Sequence, residues 1–285
     1  MGMDEKLPAE TTIGRVRLAV SSLDRAVQFY TDRLGFRLHR RQNGAAELGA
    51  GERDLVELVE QPDAKRVLGT TGLYHFAVLT PSRRALAKSL RRIAETRTPV
   101  QGFADHGVSE AIYLPDPDGN GIEIYRDRPR EEWPLRDGRL AMVTDPLDLD
   151  GILSELDGRD ELGEGLEPGT VIGHVHLHVR DIAEAEAFYC GVLGFDLVQR
   201  YGHTASFVSA GGYHHHLGLN TWAGVGAPPP PPEAVGLRWF EVVLPDRMSM
   251  QAVVERARAA GHRAEEHESG VLVRDPSGNG VLLVG

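Results

Sequence analysis

The 285-residue sequence is written nearly twice over, and that repetition constrains its fold more than any other feature. Residues 14 to 36 read GRVRLAVSSLDRAVQFYTDRLGF, and residues 173 to 195 read GHVHLHVRDIAEAEAFYCGVLGF. The matched pairs, among them Gly14 and Gly173, Phe29 and Phe188, Tyr30 and Tyr189, and Phe36 and Phe195, all lie 159 positions apart. So do Asp116 and Asp275, which open DPDGNG and DPSGNG towards the end of each half. An offset that stays constant from start to end of both halves means two duplicated domains. We expect them over residues 12 to 128 and 171 to 285, joined by an acidic connector over 129 to 170.

Inside each half the order of elements repeats again. In the first half, residues 16 to 20 alternate as a strand does. Leu23, Ala26, Val27, Tyr30 and Leu34 then follow a helical stripe that Gly35 can end. Short strands follow near residues 37 to 41, 45 to 48 and 55 to 59. The order starts over with a strand at 73 to 79, a helix at 83 to 95 and a final hairpin. In that hairpin the turn DPDGNG separates β-branched and aromatic runs at 111 to 114 and 122 to 125. Alternation puts Ile122 and Ile124 on one face and leaves Glu123, with Tyr125, on the other. The second half predicts strands near 174 to 179, 204 to 208, 214 to 220, 237 to 244 and 271 to 273, with a helix at 250 to 260. The fold class is α+β: four βαβββ modules in two tandem domains.

Charge and cysteine content narrow the function. With 42 acidic against 31 basic residues the formal charge is −11, and no basic stripe interleaves with aromatics, so neither nucleic acid nor an anionic membrane is expected as a partner. Cys190 is the only cysteine, which excludes an intrachain disulfide and a CxxC metal or redox pair. No apolar leader or long apolar run is visible, and a reducing cytoplasm is the expected location.

The paired modules, with FYxxxLGF at Phe29 to Phe36 and again at Phe188 to Phe195, and DPDGNGIEIY at 116 to 125, resemble the vicinal oxygen chelate superfamily of glyoxalases, bleomycin resistance proteins and extradiol dioxygenases. The resemblance covers nearly the whole chain and is nearest to two-domain catechol 2,3-dioxygenase-like proteins. It implies that modules pair into cupped mixed β-sheets with helices outside. It also implies metal ligands on the first strand of a module and on a last strand. Those first-strand positions hold Arg15, His75, His174 and Trp239; the last-strand carboxylate is Glu123 in the second module, replaced by Leu282 in the fourth. The implied ligand set is therefore His75, Glu123 and His174, two imidazoles and a carboxylate of the kind that holds Fe(II) with positions left open; Mn(II) is the alternative. By the same resemblance Tyr113, His106 and His215 are the catalytic residues; His176, His214, His216 and Trp222 are the expected substrate contacts. Strand alternation puts His215 with Leu217 and Leu219 unless a bulge intervenes, so the choice among the three consecutive histidines rests on the resemblance alone.

Fold does not choose chemistry, and three functions are open at this point. The first is an extradiol dioxygenase that opens a catechol-type aromatic diol with Fe(II) and O2. The second is a metal-free cup that sequesters a small molecule, as a resistance protein does. The third is a glyoxalase-like metal isomerase or lyase. A homodimer is the default expectation for such a fold. The ligand set predicts something testable in any structure: because His75 and Glu123 lie in one half and His174 in the other, the second module must share a sheet with the third, and the first with the fourth.

Overall fold

The computed structural model describes residues 6 to 157, 163 and 165 to 285. Six residues of the expected connector, 158 to 162 and 164, lie outside the described residues, as do the first five of the chain.

Four βαβββ modules are present. The first comprises β1 (Thr12–Val20), α1 (Leu23–Gln28), β2 (Arg37–Gln42), β3 (Ala45–Ala50) and β4 (Arg53–Glu60). The second comprises β5 (Gly72–Leu79), α2 (Arg83–Glu95), β6 (Gly102–Asp105), β7 (Ser109–Pro115) and β8 (Gly121–Asp127). The connector carries a small hairpin of β9 (Leu135–Arg136) and β10 (Arg139–Leu140) and a short helix α3 (Leu149–Leu153), which falls in its one amphipathic stretch, residues 147 to 156. The third module comprises β11 (Val171–His178), α4 (Ile182–Glu186), β12 (Asp196–Tyr201), β13 (Ala205–Ser209) and β14 (Leu217–Asn220). The fourth comprises β15 (Gly236–Val243), α5 (Arg247–Ala259), β16 (Ala264–His267), β17 (Gly270–Arg274) and β18 (Gly280–Val284). Among the described residues no helix is long and apolar enough to cross a membrane.

One eight-stranded sheet has the order β16-β17-β18-β15-β1-β4-β3-β2 and the other β12-β13-β14-β11-β5-β8-β7-β6. The fourth module thus shares a sheet with the first and the third with the second, the out-of-sequence pairing that the ligand set requires. The sheets are mixed: β5 runs parallel to β8, β11 to β14 and β15 to β18, while the outer pairs are antiparallel.

Two local expectations need correction. The helical stripe after β1 is not one α-helix; α1 ends at Gln28 and Phe29–Arg33 form a wider π-type turn, which recurs at Ala187–Leu193 after α4. Gly35 and Gly194 then reverse the chain with φ of 81° and 99°, a left-handed conformation that costs glycine little. The strand expected from residue 214 begins only at Leu217. His214, His215 and His216 lie in irregular chain that follows two left-handed glycines, Gly211 and Gly212, so strand alternation does not govern where they face.

Packing groups the residues into two compact units, one taking the start of the chain to Leu18, Arg66–Tyr74 and Gly173–Gly285, the other Ala19–Lys65 and His75–Ile172. Each unit carries the same internal lock. In one, the fully buried Tyr30 donates its hydroxyl proton to Asp116 (3.1 Å); in the other, Tyr189 does the same to Asp275 (3.1 Å). Oδ1 of Asp116 also accepts from the N–H groups of Asp118 and Asn120 and its Oδ2 from the Asn120 amide, and Asp275 is held alike by Ser277 and Asn279. Burial nevertheless pushes both carboxyls above the usual aspartate range. The tyrosine of one module thereby grips the hairpin turn of the next.

This lock predicts that Tyr30→Phe and Tyr189→Phe each destabilise the protein by about 1–3 kcal/mol, because each leaves a buried carboxyl short of a hydrogen bond. Urea unfolding of the single and double variants measures it, and losses that add in the double variant are expected for well-separated sites.

Candidate active site

The β7–β8 hairpin is pinned at both ends, and this fixes what its middle presents. At the turn, Asp118 accepts from Ser21 and Arg25 in addition to the lock at Asp116. At the open end Glu110, almost wholly buried, is held by Arg83 of α2 (2.9 Å), by Arg126 (2.5 Å) and by Arg128 (3.4 Å). Glu110, Ile112 and Leu114 share one face of β7, so Ala111 and Tyr113 take the other. Register places Tyr113 directly opposite Glu123, and Glu123 opposite Ala77 of β5, two residues beyond His75. His75, Ala77, Tyr113 and Glu123 therefore share one face. Its floor is a small apolar cluster of Ala77, Ala111 and Tyr125 with Leu79.

On that floor Nε2 of His75 lies 3.0 Å from Oε2 of Glu123, and both side chains are buried. The Tyr113 ring stands 5.6 Å from that of His75, and the Tyr113 hydroxyl lies 2.7 Å from Nε2 of His106. The carbonyl of Val143 lies 2.8 Å from Nδ1 of His106. A carbonyl only accepts, so Nδ1 carries the proton and Nε2 accepts from the tyrosine. Val143 belongs to the connector. Its N–H also donates to the His106 carbonyl (3.1 Å), and Asp105 and Asp145 exchange both backbone hydrogen bonds (2.9 and 2.8 Å). This strap sets the His106 ring, and nothing in the sequence pointed to Val143.

Around His174 of β11 the rings are close. His215 lies 4.2 Å from it and His214 6.3 Å, and the Nδ1 atoms of His214 and His215 are 2.8 Å apart, so a proton sits between them. His216 is engaged differently: its Nδ1 accepts from the Ala210 N–H, and its ring neighbours are Tyr213 and Phe195. His176 crosses over Gly218 of β14, where any Cβ would come within 2.6 Å of its ring, and it touches Trp222 at 5.4 Å between ring centres. Asn220 accepts from both His178 and the Trp222 backbone N–H.

One ligand atom from each of His75, Glu123 and His174 lies within 4.8 Å of the others, and all three residues are buried. Donor atoms about 2 Å from a shared ion in octahedral geometry stand about 3 Å apart, which is the His75–Glu123 spacing. Two imidazoles and a carboxylate suit a divalent transition metal that keeps positions open for other ligands. The corresponding place in the other sheet cannot do this. Glu241, a carboxylate that the sequence reading did not single out, has both oxygens taken by Arg15: Oε2 accepts from its backbone N–H (2.8 Å) and Oε1 from its guanidinium (2.7 and 2.9 Å). That approach requires Gly14, because a Cβ there would stand 2.4 Å from the Glu241 oxygen. Trp239 lies under Arg15 at 5.9 Å, and Leu282 is fully buried.

Known proteins agree with this architecture. The chain is 48% identical over 272 residues, 94% of each sequence, to catechol-2,3-dioxygenase of Bacillus subtilis strain 168. Two solved structures are similar in fold: a provisionally assigned dioxygenase of Bacillus subtilis (TM-score 0.64, 13% identity, 98% of this chain and 86% of that one) and glyoxalase I of Zea mays (TM-score 0.58, 18% identity, 96% and 92%). A family model matches both halves, at residues 12 to 124 and 171 to 283, and the chain belongs to the Glyoxalase/Bleomycin resistance protein/Dioxygenase superfamily.

Proposed function

We propose that this protein is an extradiol dioxygenase that opens the ring of a catechol-type aromatic diol with O2, using a metal held by His75, Glu123 and His174. The convergence of that buried donor set carries the reading, and the 48% identity to a catechol-2,3-dioxygenase supports it. Fe(II) is the metal we assign, with Mn(II) the alternative, since neutral imidazoles and one carboxylate leave either ion a net positive charge and open positions. A ferrous site suits a reducing compartment, and we assign the protein to the cytoplasm. When bound, the ion would act as a Lewis acid that favours a catecholate oxygen and lowers the pKa of the diol supplying it.

The chain's own residues would then manage protons and charge. Tyr113 donates its proton to His106, so its oxygen is left to accept from a substrate hydroxyl. A proton received at His106 Nε2 reverses the bond and turns the Tyr113 hydroxyl towards developing negative charge on substrate. The strap at Val143 keeps His106 in the one tautomer that allows this exchange. His215, whose Nδ1 is engaged with His214, would take the second diol proton at Nε2 and return it, as an imidazole does near neutral pH. His214 orients it, and His176 and Trp222 meet the substrate. For His216 the bonds to Ala210 and Ser209 support a role in holding the loop.

Metal analysis after anaerobic Fe(II) loading, followed by a search for the yellow ring-fission product from catechol, tests this reading. His174→Ala should lose the metal and His203→Ala should keep it; full occupancy in His174→Ala would reject the donor set. Tyr113→Phe and His215→Phe should keep the metal and lose roughly 10²-fold in turnover. Val143→Pro deletes the N–H that holds the His106 carbonyl. It should slow the enzyme but cost nothing further in a His106→Ala background, and independent losses in this cycle would mean that the strap does not act through His106.

A further inference from the structure

We infer that the site takes catechols bearing a flat, uncharged apolar substituent, because an unbroken wall of aromatic rings leads from His174 out to solvent. This deepens the proposed dioxygenase reading and rests on it for the position of the diol. Beginning at His174, ring centres follow one another at 4.2 Å to His215, 5.1 Å to Phe207, 5.7 Å to His176, 5.4 Å to Trp222 and 5.1 Å to Tyr74. Tyr74 closes back on His176 at 5.1 Å. The wall has a direction. His174 is 1% exposed and His176 4%, whereas Tyr74 is 40% and Trp222 48% exposed.

Its placement relative to the metal donors follows from β11. His174 and His176 are two residues apart on one strand face, about 7 Å along the strand. A diol anchored beside His174 therefore has its far edge level with His176, and a substituent on that edge reaches Trp222 and Tyr74. Those two rings meet edge to face, at 85° between planes, an arrangement that offers a third ring both a face and an edge. A carboxylate substituent would lose hydration against the rings, whereas an apolar ring gains from its burial. Half-exposed aromatic side chains at the mouth of a buried polar site are otherwise a cost in solubility.

The test compares catechol, phenyl-substituted catechol and carboxylate-substituted catechol by kcat/KM on the iron-loaded protein and on Tyr74→Ala and Trp222→Ala. Stacking and burial of one ring against this pair is worth roughly 10-fold. The wild-type protein should prefer the phenyl compound to catechol by about that factor, and each alanine variant should erase most of the preference through KM. A preference for the carboxylate compound, or a phenyl-to-catechol ratio unchanged in both variants, would overturn the proposal while leaving the dioxygenase reading in place. Binding is read separately by NMR, from the Trp222 indole N–H signal assigned with Trp222→Phe. If no catechol is cleaved yet the phenyl compound shifts that signal at lower concentration than catechol does, the wall stands as a subsite and the ring-cleavage reading fails. If the phenyl compound leaves the signal unmoved at concentrations that saturate turnover, the wall does not bind it and the proposal is withdrawn.

Discussion

A tyrosine hydroxyl donated to a buried aspartate carries the geometry of each half of this protein. Tyr30 reaches Asp116 across 86 residues, and Tyr189 reaches Asp275 across the same span. The carboxyl so gripped is the one that ties its own turn together through neighbouring N–H groups, so a single bond sets both where the turn sits and what shape it holds. In the second module that turn aims β8, and with it Glu123. The two motifs that betray the duplication in the sequence, FYxxxLGF and DPxGNG, recur together because each supplies one end of this bond.

What could be read from the sequence and what could not divides along physical lines. Strand alternation and turn chemistry are local, so the hairpin, its faces and the placement of Glu123 opposite to Ile122 and Ile124 were legible. The out-of-sequence sharing of sheets was legible only indirectly, through the need to bring His75, Glu123 and His174 together. The Arg15–Glu241 pair, the reach of Arg83 to Glu110 and the carbonyl of Val143 join residues of different elements, and no periodicity marks such partners. His214 to His216 were misread as strand because their neighbours Leu217 to Asn220 do form one; the reversal at Gly211 and Gly212 delays its start.

The two sheets show how one scaffold can diverge without losing its shape. Where one carries a buried imidazole–carboxylate set, the other sets a partly exposed guanidinium against a buried carboxylate. Removing two charges from water is costly, and such a pair is tolerated only when its hydrogen bonds are nearly complete; Glu241 meets that condition with three from Arg15. Breaking it by removing either partner would strand a charge.

The strap over His106 has a further consequence for how the connector can drift over evolutionary time. It acts through the backbone N–H and C=O of Val143 and the backbone of Asp145, groups that any residue other than proline supplies. Side-chain identity in this stretch is therefore nearly unconstrained by the task, while chain length and path from Asp127 onwards are tightly constrained. One inserted residue would offer His106 the wrong carbonyl. Such a segment would vary freely by substitution yet resist insertion and deletion, a signature opposite to that of an ordinary linker.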